Sequence, residues 1–364
     1  MSVLQAAVQP ARRRAVLHLF DYLDMRTGDL LVAYEPAYAA IVDDILAIAR
    51  ETGRTVTALP VDAVSATQLA SELEQAPKFL CAFNRQFGKG LTAHVDTMIE
   101  CGVEFAYKAF TLSDISHEFV NVFQSDPVHI AEQNAALIRV LQAGQELLVE
   151  DDRGTSLRVT FDQQYEWVNQ DGYTEADYDL TMNLPMGEVA TYTPHVEGGL
   201  EFIGGLLGTI PIGRKYGPIT RPIHLRIEDG RLTELSTDDE RLLADLRFCF
   251  DFDHYTGQVN EIGFGTNTSI TGPLRGFNYK HEESRLGFHL GFGASLAQQN
   301  VERLTPHHLD LLLQDCRLYL DGVLLFDGDY RFDQFPEATA GTPLRTTSRS
   351  CCMPSLGVCE PGTA

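Results

Sequence analysis

The sequence has no CxxC pair, no GxGxxG fingerprint after its first strand-like run, and few basic residues. Without paired cysteines, neither a structural zinc knuckle nor a dithiol redox motif is available. The seven cysteines do not form a disulfide framework suited to a chain of this size and pattern. Cys81, Cys101, Cys249 and Cys316 sit singly in apolar runs, as buried thiols do, and Cys351, Cys352 and Cys359 cluster near the end. No apolar run approaches the ~18 residues of a membrane span. The opening MSVLQAAVQPARRR is basic but lacks a following apolar stretch long enough for export, so a cytoplasmic setting is expected. Lys and Arg number 28 against 51 Asp and Glu, a net charge of −23. Such a surface repels nucleic-acid phosphates and anionic lipid, so neither is an expected partner.

What remains is a globular chain of 364 residues, 44% apolar, which at about 150 residues per domain suggests two domains. Residues 1–145 read as an α/β domain. Ala11–Leu23 sets Ala15, Val16, Leu19 and Tyr22 at helical spacing. Asp29–Tyr34 reads as a buried strand, Ala37–Glu51 as a helix stopped by Gly53, and Thr55–Val61 as a strand. Ala66–Glu74 follows as helix, Phe79–Phe83 as strand, Leu91–Cys101 as a helix ended by Gly102, and Val103–Tyr107 as strand. Asp126–Ala143 is a long helix with Pro127 in its first turn. Such alternation predicts a parallel sheet with helices on its faces. Glu35-Pro36 stands where a dinucleotide loop would begin, and Gly88-Lys89-Gly90 is too short for a phosphate loop and reads as surface.

Residues 146–335 read as a strand-rich α+β domain. Leu147–Glu150 and Ser156–Phe161 flank a turn at Asp152-Arg153-Gly154. Asp229-Gly230, Asp321-Gly322 and Asp327-Gly328 each separate apolar runs, as hairpin turns do. Thr237–Phe248 reads as helix, with Thr237 as N-cap and Glu240 completing a capping box. From 336 to 364 the chain is rich in Pro, Gly, Thr and Ser, and a mobile tail is expected.

The chemistry-bearing residues lie in the strand-rich half. In His307-His308-Leu309-Asp310, an extended backbone would put His308 and Asp310 on one face, an imidazole and a carboxylate suited to half of a divalent-metal site. A surface HxD without a ligand fits the same pattern. His289 lies in the apolar, glycine-rich RLGFHLGFG, where glycines admit a close neighbour; a satisfied core histidine is the plainer reading. His281, Glu282 and Glu283 just before it form either a solvated turn or outer support. Glu261 in VNEIGFGTN is a carboxylate pushed into an apolar run, where a buried charge needs a partner. Glu188 follows a Pro-Met-Gly turn in NLPMGEVATYTPH, compatible with a site loop. Arg214-Lys215-Tyr216 could bind a carboxylate or be ordinary loop. Together the carboxylates and histidines form the ligand inventory of a mononuclear or dinuclear site for a borderline metal.

The order of these motifs, Glu188 in PMGEVATYTPH, Glu261 in NEIGFGTN, His289 in GFHLGFG, His308 and Asp310 in HLD, then LYLDG from Leu318 to Gly322, resembles the aminopeptidase T-like metallopeptidases. The resemblance covers about residues 180–325 at motif level. It implies that Glu188, Glu261, His289, His308 and Asp310 bind a pair of divalent ions (zinc, cobalt or manganese), with Glu188 also catalytic, in a homodimer acting on short peptides. The family carries a tyrosine shortly after its first metal histidine; here that stretch is GFGASLAQQN, without one. The ring-cleaving dihydroxypyridine dioxygenases resemble the same scaffold. That likeness implies a single iron(II) held by His289, His308 and Asp310, a base from the first half at His94, and a small hydroxylated substrate. A third expectation is a metal-free binding protein on the same scaffold.

Overall fold

In the computed structural model, the described residues are 8–23, 29–84, 92–161, 166–172, 182–184, 186–192, 194–208, 216–271, 282–293, 308–313, 315–341 and 346–347. The Gly88-Lys89-Gly90 reading, Arg214, Lys215, His281 and His307 fall outside them, as do Cys351, Cys352 and Cys359.

Short runs apolar on both faces become the strands β1 (Leu30–Tyr34), β3 (Phe79–Phe83) and β4 (Ala109–Ser113). With β2 (Val56–Pro60) and β8 (Met182–Leu184) they form a five-stranded parallel sheet in the order β2-β1-β3-β4-β8. Alternation splits their side chains between two cores. Val32, Leu80, Ala82 and Leu112 pack with helices α1 (Pro10–Tyr22) and α2 (Ala39–Thr52). Ala33, Phe79, Cys81 and Phe83 pack with α3 (Ala66–Gln75) and α4 (Ala93–Glu104). Gly53 caps α2 with φ +71°, a left-handed conformation that glycine adopts without steric cost. The four cysteines Cys81, Cys101, Cys249 and Cys316 are free and buried.

Two sequence expectations here are corrected. Gly102 does not end α4, which runs to Glu104, and Val103–Tyr107 is not a strand. A central parallel strand must be apolar on both faces. Glu104 and Tyr107 are exposed, the latter 71% so, while all five residues of β4 are buried.

After α5 (Phe119–Val122), helix α6 (Pro127–Ala143), capped by Asp126, leads into the strand-rich half. One seven-stranded sheet contains β5 (Glu146–Glu150), β6 (Ser156–Thr160), β10 (His195–Phe202), β12 (Ile223–Glu228), β13 (Arg231–Thr237), β17 (Arg317–Leu320) and β18 (Val323–Asp327). The other contains β7 (Trp167–Gln170), β9 (Glu188–Tyr192), β11 (Leu206–Gly208), β14 (Val259–Gly265), β15 (Gly287–Gly293), β16 (His308–Leu313) and β19 (Thr346–Thr347). Asp229-Gly230 and Asp321-Gly322 make their hairpin turns with positive φ at both residues, as a type I′ turn needs. Helix α7 spans Glu240–Phe250 and is capped by Asp239, which accepts from the Leu242 amide at 3.0 Å. The expected cap, Thr237, instead closes β13 opposite Ile223, because sheet pairing claims its backbone first. At the start of the expected tail, Pro336–Thr339 forms a turn whose Ala338 is buried. No described helix is long and apolar enough to cross a membrane.

The two sheets share one core. Val189, Ile262, Phe264, Phe288, Leu290, Phe292, Leu309 and Leu311 line it from the second sheet. Alternation sends the intervening residues, including Glu188, Glu261, His289, His308 and Asp310, to the sheet's other face. A bulge between Val259 and Glu261 supplies the extra residue that lets Val259 and Ile262 both face the core while Glu261 faces away.

The parallel-sheet half is tied to this sheet through Asn267, just beyond β14 and wholly buried. Its amide donates to the carbonyls of Val122 at 3.1 Å and Met186 at 3.2 Å. Its side-chain oxygen accepts from the Ser269 amide at 3.1 Å, and its backbone amide donates to the Ser284 carbonyl at 2.8 Å. Asn267→Ala would strand the buried Met186 carbonyl and leave the Val122 carbonyl only the Ser269 hydroxyl at 3.2 Å, so it should cost about 1–3 kcal/mol, the range for one orphaned buried group. Urea unfolding of the metal-free chain measures this; a midpoint equal to wild type would refute it.

Candidate metal centre

Five of the six residues given a metal or catalytic role from the sequence come together on the outer face of the second sheet. Glu188 opens β9, Glu261 sits mid-β14, His289 is the third residue of β15, and His308 and Asp310 alternate on β16. The strand order β16-β15-β14-β9 makes these four strands neighbours. Each of the five side chains faces a glycine across the ladder: Glu188 pairs with Gly265, His289 with Gly263, Glu261 and Asp310 with Gly291, and His308 with Gly293. The glycines are required by space. A Cβ on Gly263 would collide with the His289 ring, and one on Gly291 would lie 2.8 Å from both Asp310 Oδ1 and Glu261 Cβ. Thus the glycine-rich texture of β14 and β15 opens room for ligands on a sheet that is otherwise packed.

The donor atoms converge in two sets that share Glu261. In one, His289 Nε2 lies 3.0 Å from Glu188 Oε1 and 3.8 Å from Glu261 Oε1. In the other, His308 Nε2 lies 2.9 Å from Asp310 Oδ1 and 3.5 Å from Glu261 Oε2. Within each set, the chosen ligand atoms of the three residues all lie within 4.8 Å of one another. All five residues are at most 9% exposed.

So many buried ionisable groups must balance one another. Burial disfavours charge on both rings, but Glu188 and Glu261 outweigh it and raise His289 well above the ordinary imidazole value. Burial likewise opposes charge on His308, yet Asp310 and Glu261 push it up to about 10. Burial also penalises ionised Asp310, but His308 holds it below the usual carboxylate value. In the bare chain, imidazolium charge offsets part of the carboxylate charge; divalent cations would supply countercharge and displace those protons.

The residues fit such an ion. The donors are nitrogen and oxygen, with cysteine absent from both sets, as a borderline divalent metal prefers. Asp310 Oδ1 is buried and accepts no well-directed hydrogen bond among the described residues, although His308 Nε2 stands close by.

Sequence reading left Glu283 as either part of a solvated turn or outer support for the site. It is buried at 6% and acts electrostatically on both imidazoles. Only its position just before β15 hinted at this. Its neighbour Glu282 is buried and paired with Arg285 at 2.7 Å. A groove of about 440 Å³ opens beside His289, bordered by Thr268, Glu282, Glu283, Arg285 and Leu312. His94 is not part of the cluster. It lies in the first turn of α4, its Nε2 2.8 Å from the Val64 carbonyl. Tyr216 is engaged with Asp245.

No protein-family model and no curated protein matches the sequence. Two solved structures are similar to it along nearly their whole length. AmpT (aminopeptidase T) from Thermus thermophilus superposes with a TM-score of 0.62 at 18% identity, covering 88% of this chain and 98% of that one. The 2,5-dihydroxypyridine dioxygenase from Pseudomonas putida KT2440 superposes with a TM-score of 0.59 at 17% identity, covering 92% and 100%. The chain shares their fold. It is the architecture that the alternation of elements and the turn signals predicted, an α/β half with a parallel sheet followed by a strand-rich half. At 17–18% identity the likeness is one of fold.

Gly291→Ala should test whether the glycine ladder serves the ligands. The added methyl crowds Asp310 and Glu261 while leaving the core-facing side untouched. Zinc uptake is expected to weaken more than tenfold, with far-ultraviolet circular dichroism unchanged; wild-type affinity would show that the glycine is a packing feature only.

Proposed function

We propose that this chain is a two-metal hydrolase of the aminopeptidase kind, acting on short peptides or related small amides. The observation that carries this reading is the position of Glu261. Its two oxygens address different histidines, Oε1 toward His289 and Oε2 toward His308. A carboxylate so placed is suited to bridging two ions, one completed by Glu188 and His289, the other by His308 and Asp310.

When bound, zinc, cobalt or manganese ions would polarise the scissile carbonyl and lower the pKa of a bound water. The chain's own residues do the rest. The two imidazoles and three carboxylates hold the ions on four rigid strands, where ligand positions do not drift. Glu283 adds negative charge near both imidazoles. Glu188, expected both to ligate and to carry a proton, would serve as a ligand through Oε1, since Gln170 holds its Oε2 at 2.7 Å; a carboxylate not committed to the ions would carry the proton from the attacking water to the leaving amine. The groove beside His289 supplies a volume for the substrate's first residues. A homodimer in the cytoplasm is the setting that accompanies this reading.

An iron(II) oxygenase would use His289, His308 and Asp310 around one ion, with His94 as base. The donor grouping favours it less: among the described residues, His289 groups with Glu188 and Glu261, while His308 and Asp310 form a set with Glu261. A metal-free binding protein is disfavoured by the burial of carboxylates and imidazoles together, which serves no apolar core.

Elemental analysis of chain purified without chelator should give about two zinc, cobalt or manganese ions per chain. Aminoacyl p-nitroanilide hydrolysis should disappear on chelation and return on adding the metal. Glu261→Ala should lose both ions and Asp310→Ala one. A single iron per chain, with oxygen uptake on hydroxylated pyridines, would overturn the hydrolase.

A further inference from the structure

Gln170 is the last residue of β7 and only 3% exposed. It faces Glu188 directly across the β7–β9 ladder. Its side-chain Nε2 donates to Glu188 Oε2 at 2.7 Å, a fully buried contact. Its backbone carbonyl accepts from the Gly187 amide at 2.9 Å, so it also holds the turn that delivers Glu188. Behind the pair, Asn134 of α6, wholly buried, donates to the Glu188 carbonyl at 3.1 Å and to Asn169 Oδ1 at 2.8 Å.

This arrangement divides the work of the Glu188 carboxylate. Oε2 is occupied by a neutral amide, and Oε1 is turned toward His289 at 3.0 Å. A lysine or arginine at position 170 would also hold Oε2, but its charge would compete with a metal for the carboxylate. A glutamine orients the group and leaves its full negative charge available.

We propose that Gln170 is a positioning residue, presenting Glu188 Oε1 to one of the two ions and to that ion alone. The inference rests on the two-ion reading above. Its consequence is asymmetric. Loss of the Gln170 amide disturbs the ion held by Glu188, Glu261 and His289, while the ion held by Glu261, His308 and Asp310 stays as it was.

Calorimetric zinc titration of the metal-stripped full chain tests this. Wild type should bind two ions. Gln170→Met keeps the length of the side chain and removes the donor. It should weaken one of the two ions by about 10- to 100-fold, the usual effect of losing a ligand's hydrogen-bond support, and leave the other within about threefold. Gln170→Asn keeps an amide but shortens its reach, gives the same selective loss, and serves if Gln170→Met does not fold. In a Glu188→Ala background, Gln170→Met should cause no further change in zinc binding, since the residue acts through Glu188. A residue that merely supports the fold would weaken both ions together, or would still act without Glu188; either result overturns the proposal, as do two wild-type affinities in both variants. Fewer than two ions in wild type would overturn the two-ion reading itself, and this inference with it; two ions in wild type with unchanged variants would overturn this inference alone.

Discussion

The burial of charge on one face of an otherwise apolar sheet is the constraint on which the rest of this structure depends. Glu188, Glu261, Glu283, His289, His308 and Asp310 are all withdrawn from water. An unpaired carboxylate in such a place costs several kcal/mol. The chain meets that cost by close pairing, with each imidazole placed against carboxylates from its own or neighbouring strands. Alternation along the strands gives the two faces opposite characters. One holds Ile262, Phe264, Phe288, Leu290 and Phe292 in the common core, and the other holds the ligands. A one-residue slip in any of these strands would exchange the faces and drive carboxylates into the apolar core, so the chemistry and the register are specified together.

Glycine makes this compatible with a packed sheet. Cross-strand neighbours ordinarily crowd each other, yet here each ligand faces a position without a side chain. The bulge at Asn260 completes the arrangement by adding a residue where the alternation would otherwise put Glu261 on the wrong side. The parallel-sheet half enters through Asn267 and through β8, which joins the parallel sheet beside β4 and runs on toward Glu188. One ligand therefore follows directly from a strand of the α/β sheet, and the two halves are joined where the site is built.

The sharing of a fold with an aminopeptidase and a dioxygenase poses a chemical choice that the scaffold leaves open. Donor identity bears on it. A lone iron is served by two imidazoles and one carboxylate. Here two further glutamates are buried among them, and one spans both histidines. That surplus of buried carboxylate asks for more positive charge than one divalent ion brings, which is the physical content of the two-metal reading.

Local signals in the sequence determined much of this. Helices α1, α2, α3 and α6, strands β1 and β3, and the Asp-Gly turns follow from periodicity, caps and left-handed glycines, all properties of residues close in the chain. The ligand residues were legible because each breaks its surroundings: a charge or an imidazole inside an apolar, glycine-rich run. Strand β4 and the cap of α7 were misplaced because neighbouring segments offered competing local signals, VEFAY against AFTLS and Thr237 against Asp239, and only sheet pairing and burial chose between them. Gln170 and Asn134 were beyond the reach of sequence. A glutamine ending a strand and an asparagine in a helix are ordinary in isolation. Their part is set by Glu188, which stands across from them more than 15 residues away in the chain in each case, and tertiary structure alone supplies that partner.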